Sequence, residues 1–364
     1  MEGLFGSIYK NKKVLITGNT GFKGSWLALW LLKLGANVKG ISLKPNTNPN
    51  HHTLLNLPIE TDIIDIRHYE ELKTSIISYN PDIIFHLAAQ PLIRYSYKET
   101  LETFNTNIIG SANIFEIAKH LNNSLKAIIN VTTDKCYENR EQNKGYIETD
   151  HLGGYDPYSA SKACSEIITS SYRNSFFNTN DYNKTHSTLI ASARAGNVIG
   201  GGDWSEDRLI PDLVKAATRG ESTIIRSPEA IRPWQHVLEP LTGYLLLGQK
   251  LLQGEKEFAD AWNLGPKEDE FSSVIDVVSI AQKNWNDIRI EIENTNHFHE
   301  AKLLKLNSQK ANSKLEWKSI WTLNESIRNT IYWYQNYYNS KTISSEDQLN
   351  EYINTAKTNK TCWT

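Results

Sequence analysis

Cysteine is scarce in this chain, with three residues in 364: Cys136, Cys164 and Cys362. They form no CxxC pair and no Cys/His cluster, which argues against a disulfide framework and a structural zinc site, and so against a resident metal. A reducing cytoplasm is the expected compartment. No apolar run approaches the roughly 20 residues that span a bilayer. The N-terminus, Met1 to Lys13, carries charges without the apolar stretch of a signal peptide. An excess of one charge is missing too, since 39 basic and 41 acidic residues leave a formal net charge of -2. That balance removes the electrostatic footprint of a general nucleic-acid binder and of an anionic-membrane binder. What remains is an ordinary soluble composition, 39% apolar and 22% charged. The length fits two domains, or one large α/β domain with a smaller appendage. Ten tryptophans and seventeen tyrosines are generous, enough to fill a core and line a pocket.

Lys13 to Thr17 is a short apolar run that stops at Gly18, the pattern of a buried strand. Trp26, Leu27, Leu29, Trp30, Leu31 and Leu34 then fit a helix closing at Gly35. Further strands are expected at Ala36 to Ser42, just before Asp65, at Ile83 to Leu87 and at Ala127 to Val131. Helical patterns separate them, notably Ile108 to Leu121. Strand alternating with helix predicts an α/β fold, a Rossmann-type doubly wound parallel sheet, with a smaller C-terminal substrate domain. The expected division is 1–195 for the dinucleotide-binding domain, with some later segments returning to it, and 196–340 mainly for substrate. Residues 341–364, rich in Asn, Thr, Lys and Ser, read as a surface or frayed tail.

Three glycines, Gly18-x-x-Gly21-x-x-Gly24, fall between the first strand and the first helix. Their spacing alone is modest evidence, but their position is where a dinucleotide pyrophosphate meets a helix N-terminus. The end of the second strand carries no acid to bind an adenosine ribose. It reads Ser42-Leu43-Lys44, which leaves NAD and NADP nearly even on residues alone.

Tyr158-x-x-x-Lys162 is one of four YxxxK matches in the chain. Only this one follows the fifth strand, with Asp156-Pro157 opening a helix that puts both side chains on one face. A lysine ammonium beside a tyrosine favours the phenolate and makes it a usable base. Thr133-Asp134-Lys135 ends the fifth strand, at the edge of a sheet that faces a ligand crevice. An adjacent acid and base there can give and take protons in the crevice.

The TGxxGxxG loop, the His86-Leu87-Ala88-Ala89 segment, Asp65-Ile66-Arg67 and the Asn107-to-Gly110 segment resemble the extended short-chain dehydrogenase/reductases over most of the chain. Longer stretches narrow the likeness: Thr20 to Trp26, Asp134 to Tyr137, Arg194 to Trp204, Asp207 to Asp212 and Arg232 to Pro240. Together they are similar to the CDP-glucose 4,6-dehydratase family. The resemblance implies bound NAD and a nucleotide-sugar substrate, CDP-glucose. It implies loss of water to give the 4-dehydro-6-deoxy sugar, as in deoxysugar biosynthesis. It assigns catalysis to Thr133, Asp134, Lys135, Tyr158 and Lys162. Cofactor contacts fall to Gly18, Thr20, Gly21, Phe22, Gly24, Ser42, Lys44, Asp65, Ile66, Leu87, Ala88, Ala89 and Asn107, with Tyr158 and Lys162. Substrate contacts fall to Gln90, Arg94, Asn197, Arg208 and Arg232. Several relatives carry Glu where this chain has Lys135, which is either a C5 base or a charged stabiliser of the enolate. Trp204 and Trp234 are expected to pack, and His86 and His236 to be structural. A homodimer through helices beside the YxxxK helix follows by analogy. A 4-epimerase or reductase, and a non-catalytic dinucleotide-binding regulator, are the alternatives.

Overall fold

Val14, Leu15 and Ile16 are wholly buried, and the strand they form stands inside a seven-stranded sheet. The computed structural model describes residues 1–121, 124–267, 270–293 and 301–364. The first half runs β1 (Lys13–Thr17), α1 (Phe22–Lys33), β2 (Asn37–Ser42), α2 (His51–Leu55), β3 (Glu60–Ile63), α3 (Tyr69–Tyr79) and β4 (Ile83–His86). It continues with α4 (Ile93–Lys98), α5 (Thr100–Phe104), α6 (Gly110–Ala118), β5 (Ala127–Thr133), α7 (Pro157–Ser175) and β6 (Leu189–Ala195). Next come β7 (Asn197–Ile199), α8 (Leu209–Arg219), β8 (Ser222–Ile225), β9 (Ile231–Arg232), β10 (Trp234–His236), α9 (Leu238–Leu252) and β11 (Ala261–Leu264). The chain closes with β12 (Ser272–Ser273), α10 (Val274–Asn284), β13 (Arg289–Ile292), α11 (Gln309–Lys314), α12 (Leu323–Ser340) and α13 (Ser345–Thr358).

The sheet order is β11-β6-β5-β4-β1-β2-β3, with every neighbouring pair parallel. The chain leaves β1 toward β3, then returns to β4 on the other side. That reversal creates a crevice at the carboxyl ends of β1 and β4. Both faces are covered, so β5 and β6 are buried along their whole length. The strand period of two sorts the apolar residues. Val14, Ile16, Ile83 and Phe85 join the core under α1 and α9. Leu15, Ile84 and Ile128 join the core under α3 and α6.

Beyond β6 the chain forms three two-stranded ladders, β7 with β10, β8 with β13 and β9 with β12. Between them α9 packs on β5 and β6, and β11 adds the edge strand beside β6. The helix expected from Ile108 to Leu121 is α6 preceded by a π-helical turn, Asn105–Ile109. Strand β5 runs two residues further than expected and carries Thr132 and Thr133 to the crevice.

The segment after residue 340 is not frayed. It forms α13, with Leu349, Tyr352, Ile353 and Ala356 buried at helical spacing. Trp363 then stacks on Phe5 at 5.0 Å. The polar residues that suggested a tail are the solvent face of an amphipathic helix.

Candidate active site

The carboxyl ends of β1, β4, β5 and β6 open into one cavity of about 1130 Å³. Gly18, Thr20, Gly21, Phe22 and Gly24 line one wall, with Leu87 and Ala89 from the end of β4. Gly18 takes a left-handed φ of 77°, and a Cβ there would meet Ala88 N at 2.8 Å. Only glycine lets β1 turn this close to the β4 segment. The turn aims the N-terminus of α1 at the cavity, and no side chain caps it. Its backbone N–H groups thus face the space a pyrophosphate takes in such loops.

The reacting group sits on α7. Pro157 opens the helix and Asp156 caps it, accepting from Ser159 N at 2.9 Å. Ser96 Oγ accepts from Tyr158 N at 3.1 Å and fixes the first turn. Tyr158 and Lys162 both line the cavity, one turn apart. Burial pushes the Tyr158 phenol up to about 12, against a hydrogen bond with Thr133 and the charge of Arg208. Burial brings the Lys162 ammonium down to about 8, against the charge of Glu166. Lys162 Nζ donates to Val131 O at 3.3 Å. Behind it, Arg194 and Glu166 form a buried ion pair at 2.7 Å, to which Thr132 and Ser192 also donate.

Thr133 donates to Asp134 Oδ1 at 2.9 Å, and Lys135 Nζ stands 3.5 Å from the same oxygen. Lys135 also donates to Asn197 Oδ1 at 3.3 Å, which couples β5 to β7. Thr133, Lys135 and Asn197 line the cavity. Asp134 is wholly buried just behind them, and its Oδ2 has no hydrogen-bond partner among the described residues. The far wall is cationic. Arg94, Arg208 and Arg232 line it, as does Arg226. Arg232 donates to the carbonyls of Ile231 and Ala301.

Several expected contacts lie outside the cavity lining. Ser42 shares a hydrogen bond of 2.7 Å with Thr20, and Lys44 is exposed. Asp65 clamps Arg67 through its side chain and its backbone N–H. Ile66 is buried against Gly110, where a Cβ would come within 2.5 Å of it. Ala88 donates its N–H to Thr17 Oγ1 at 3.2 Å. Asn107 and Gln90 brace each other: Asn107 accepts from Gln90 N and donates to Gln90 O and Ser161 Oγ. The Gln90 amide bonds Leu92 on both sides and Thr103.

Trp204 packs edge-on to Trp333, Tyr334 and Tyr337, and Trp234 is buried. His86 lies between Thr17 and Ser111, and burial lowers it to about 3. Lys23 and Arg226 are among the cavity residues that the sequence reading did not assign. Lys23 stands inside the glycine loop, where burial, then Arg208 and Lys162, lower it to about 7. A cation between two of the three glycines was its signal. Arg226 follows β8 and no local pattern marks it.

A doubly wound sheet with a glycine loop at its reversal and a Tyr/Lys pair on the facing helix defines a Rossmann-type dinucleotide-binding α/β protein. The family described as GDP-mannose 4,6 dehydratase matches residues 15–330, and the chain belongs to it. A CDP-glucose 4,6-dehydratase of Salmonella typhimurium strain LT2 is 44% identical over 352 residues, 95% of this chain and 98% of the relative. Among solved structures, an epimerase of Methanothermobacter thermautotrophicus superposes with a TM-score of 0.80 at 22% identity, covering 92% of this chain and 95% of its own. A dTDP-glucose 4,6-dehydratase of Streptomyces venezuelae, solved with NAD bound, gives 0.75 at 20% identity, covering 89% and 97%.

Proposed function

We propose that the chain converts CDP-D-glucose to CDP-4-dehydro-6-deoxy-D-glucose and water, as a hydro-lyase. The observation that carries this reading is the meeting of Thr133, Lys135, Tyr158 and Lys162 in one cavity, with Asp134 bonded to Thr133 behind it. The Salmonella relative supports the substrate. The cradle around Gly18 suits a dinucleotide: Thr20, Gly21 and Phe22 would hold its phosphates and Lys162 its ribose. Bound NAD would supply a hydride acceptor for sugar C4 and return the hydride at C6.

Tyr158 takes the proton of the 4-hydroxyl, and Thr133 holds the same oxygen. The ketone formed at C4 acidifies the C5 proton; we assign its removal to Lys135, which returns a proton to C5 once the hydride has reached C6. Asp134 supplies the proton for the departing 6-hydroxyl, reaching the cavity through Thr133 and Lys135. Arg94, Arg208, Arg232 and Asn197 hold the diphosphate and sugar oxygens, since guanidinium forks match phosphate geometry. We place the reaction in the cytoplasm, consistent with three unpaired cysteines. No described helix is long and apolar enough to cross a membrane. We also infer a homodimer. Exposed Leu101, Ile109 and Ile167 support it, on segments that pack together beside α7.

The test is incubation with CDP-glucose and catalytic NAD, followed by mass spectrometry, with UDP-, GDP- and dTDP-glucose in parallel. A CDP-hexose lighter by one water, without accumulation of NADH, is expected. An unchanged mass with altered sugar configuration would establish an epimerase instead.

A further inference from the structure

Asp207 occupies the loop that leads into α8, with a left-handed φ of 55°. Its Oδ1 stands 3.3 Å from Arg94 Nη1 and 3.7 Å from Arg226 Nη1. Arg94 belongs to α4, beyond the end of β4, and Arg226 follows β8. The same loop carries Asp203, whose Oδ2 stands 3.5 Å from Arg208 Nη1. All five side chains line the cavity. Arginines from three separate parts of the chain therefore converge here, and each meets an acid of one loop.

Stability does not account for the arrangement. Ion pairs of partly exposed groups contribute little, and Asp207 is 39% exposed. One carboxylate oxygen shared by two guanidinium groups, at separations of 3.3 and 3.7 Å, is also a poor match for either. Phosphate oxygens engage arginine in pairs and at shorter range. A diphosphate is thus the better partner for the same two cations.

We propose that Asp207 sets the affinity of this site for diphosphate: its carboxylate holds the place of a phosphate between Arg94 and Arg226 and yields when the nucleotide diphosphate arrives. The proposal rests on the reading of the cavity as a nucleotide-sugar site. Substrate and product carry the same diphosphate, so the carboxylate opposes both. It weakens substrate capture and hastens product release by competing for the arginines as the product departs.

Calorimetric titration of the intact protein with inorganic pyrophosphate, and separately with CDP, tests this. Asp207→Asn keeps a residue that tolerates left-handed backbone and removes the competing charge. It should bind pyrophosphate about tenfold more tightly than the parent. Asp207→Gly, which also relieves the backbone, should do the same. The gain should vanish when Arg226→Ala is added, an outcome a purely structural role for Asp207 would not produce. Unchanged or weaker pyrophosphate binding in both Asp207 variants, no binding by any form, or a gain that persists without Arg226 would overturn the proposal. Tighter pyrophosphate binding with no CDP binding would leave it standing and remove the cytidine reading.

Discussion

Tyr158 and Lys162 perturb in opposite directions for one reason: burial penalises the charged form of each. At about 12 the phenol lies above its ordinary value of 10, so burial outweighs the lowering that the sequence predicted from Lys162, and Tyr158 must first give up its own proton to act as the base; at about 8 the ammonium begins to lose its proton just above neutrality. The lysine then limits the useful range on the alkaline side. The kcat/KM of the free enzyme should decline above about pH 8 as Lys162 deprotonates. Lys162→Arg, which stays charged, should lose activity overall yet flatten that decline. A decline that keeps its midpoint in the arginine variant would contradict the assignment. Tyr158→Phe should lower turnover by roughly 10² to 10⁴, with an unchanged melting temperature, measured by the rate of dehydrated product. Lys135→Ala should stop exchange of the C5 proton with solvent; exchange at the parent rate would remove Lys135 as the base. These residues were legible because Thr133 to Lys135 and Tyr158 to Lys162 are local strings at the ends of recognisable elements. Asp207, Arg226 and Arg94 were not legible as a group, because they meet only through the tertiary fold. Ser42 was read correctly as a strand end, but the Thr20 hydroxyl takes its side chain, which local spacing does not reveal.

Helix α13 shows how an element can be hidden by composition. Its apolar stripe is narrow, and the polar residues between outnumber it. The docking is specific: Tyr352 donates to Glu239 Oε2 at 2.8 Å, beside the N–H groups of Trp321 and Ile320 at 2.8 and 3.0 Å. Burial pushes Glu239 from an ordinary 4.5 up to about 7 despite those three donors. The folded state therefore binds this proton more tightly than the unfolded chain. The stability it contributes is complete below pH 4.5 and is lost as pH rises through 7. The loss amounts to roughly 3 kcal/mol. In urea unfolding, Glu239→Gln should therefore gain roughly 3 kcal/mol more stability between pH 5 and pH 8 than the parent protein does. A second element-scale expectation concerns the exposed face of α5 and α7. Ile167→Glu should shift sedimentation from dimer to monomer; a monomeric parent would remove the dimer altogether.

At the scale of the molecule, three buried histidines, His51, His86 and His236, are each lowered to about 3 by burial. They stay neutral in the fold and charge in the unfolded chain below about 6.5. Their stabilisation is therefore present above 6.5 and lost as pH falls toward 3. Between pH 5 and 6 the unfolded chain gains about three protons from them, while Glu239 opposes with one. Unfolding free energy should accordingly rise by roughly 2 to 3 kcal/mol per pH unit across that interval, as urea titrations would measure. The alternation of strands and helices to β6 was readable because both faces of a parallel sheet demand continuous apolar strands. The later half was less so, because its ladders are two to four residues long and carry no period. Its weave has a consequence for how such a protein changes over generations. Helix α9 and strand β11 return to the sheet between segments that wall the far side of the cavity. Neither half is a continuous stretch of gene, so no single crossover exchanges one intact half for another. A change of nucleotide or sugar preference on this scaffold is therefore more simply made by substitutions along the cavity wall than by exchange of one half.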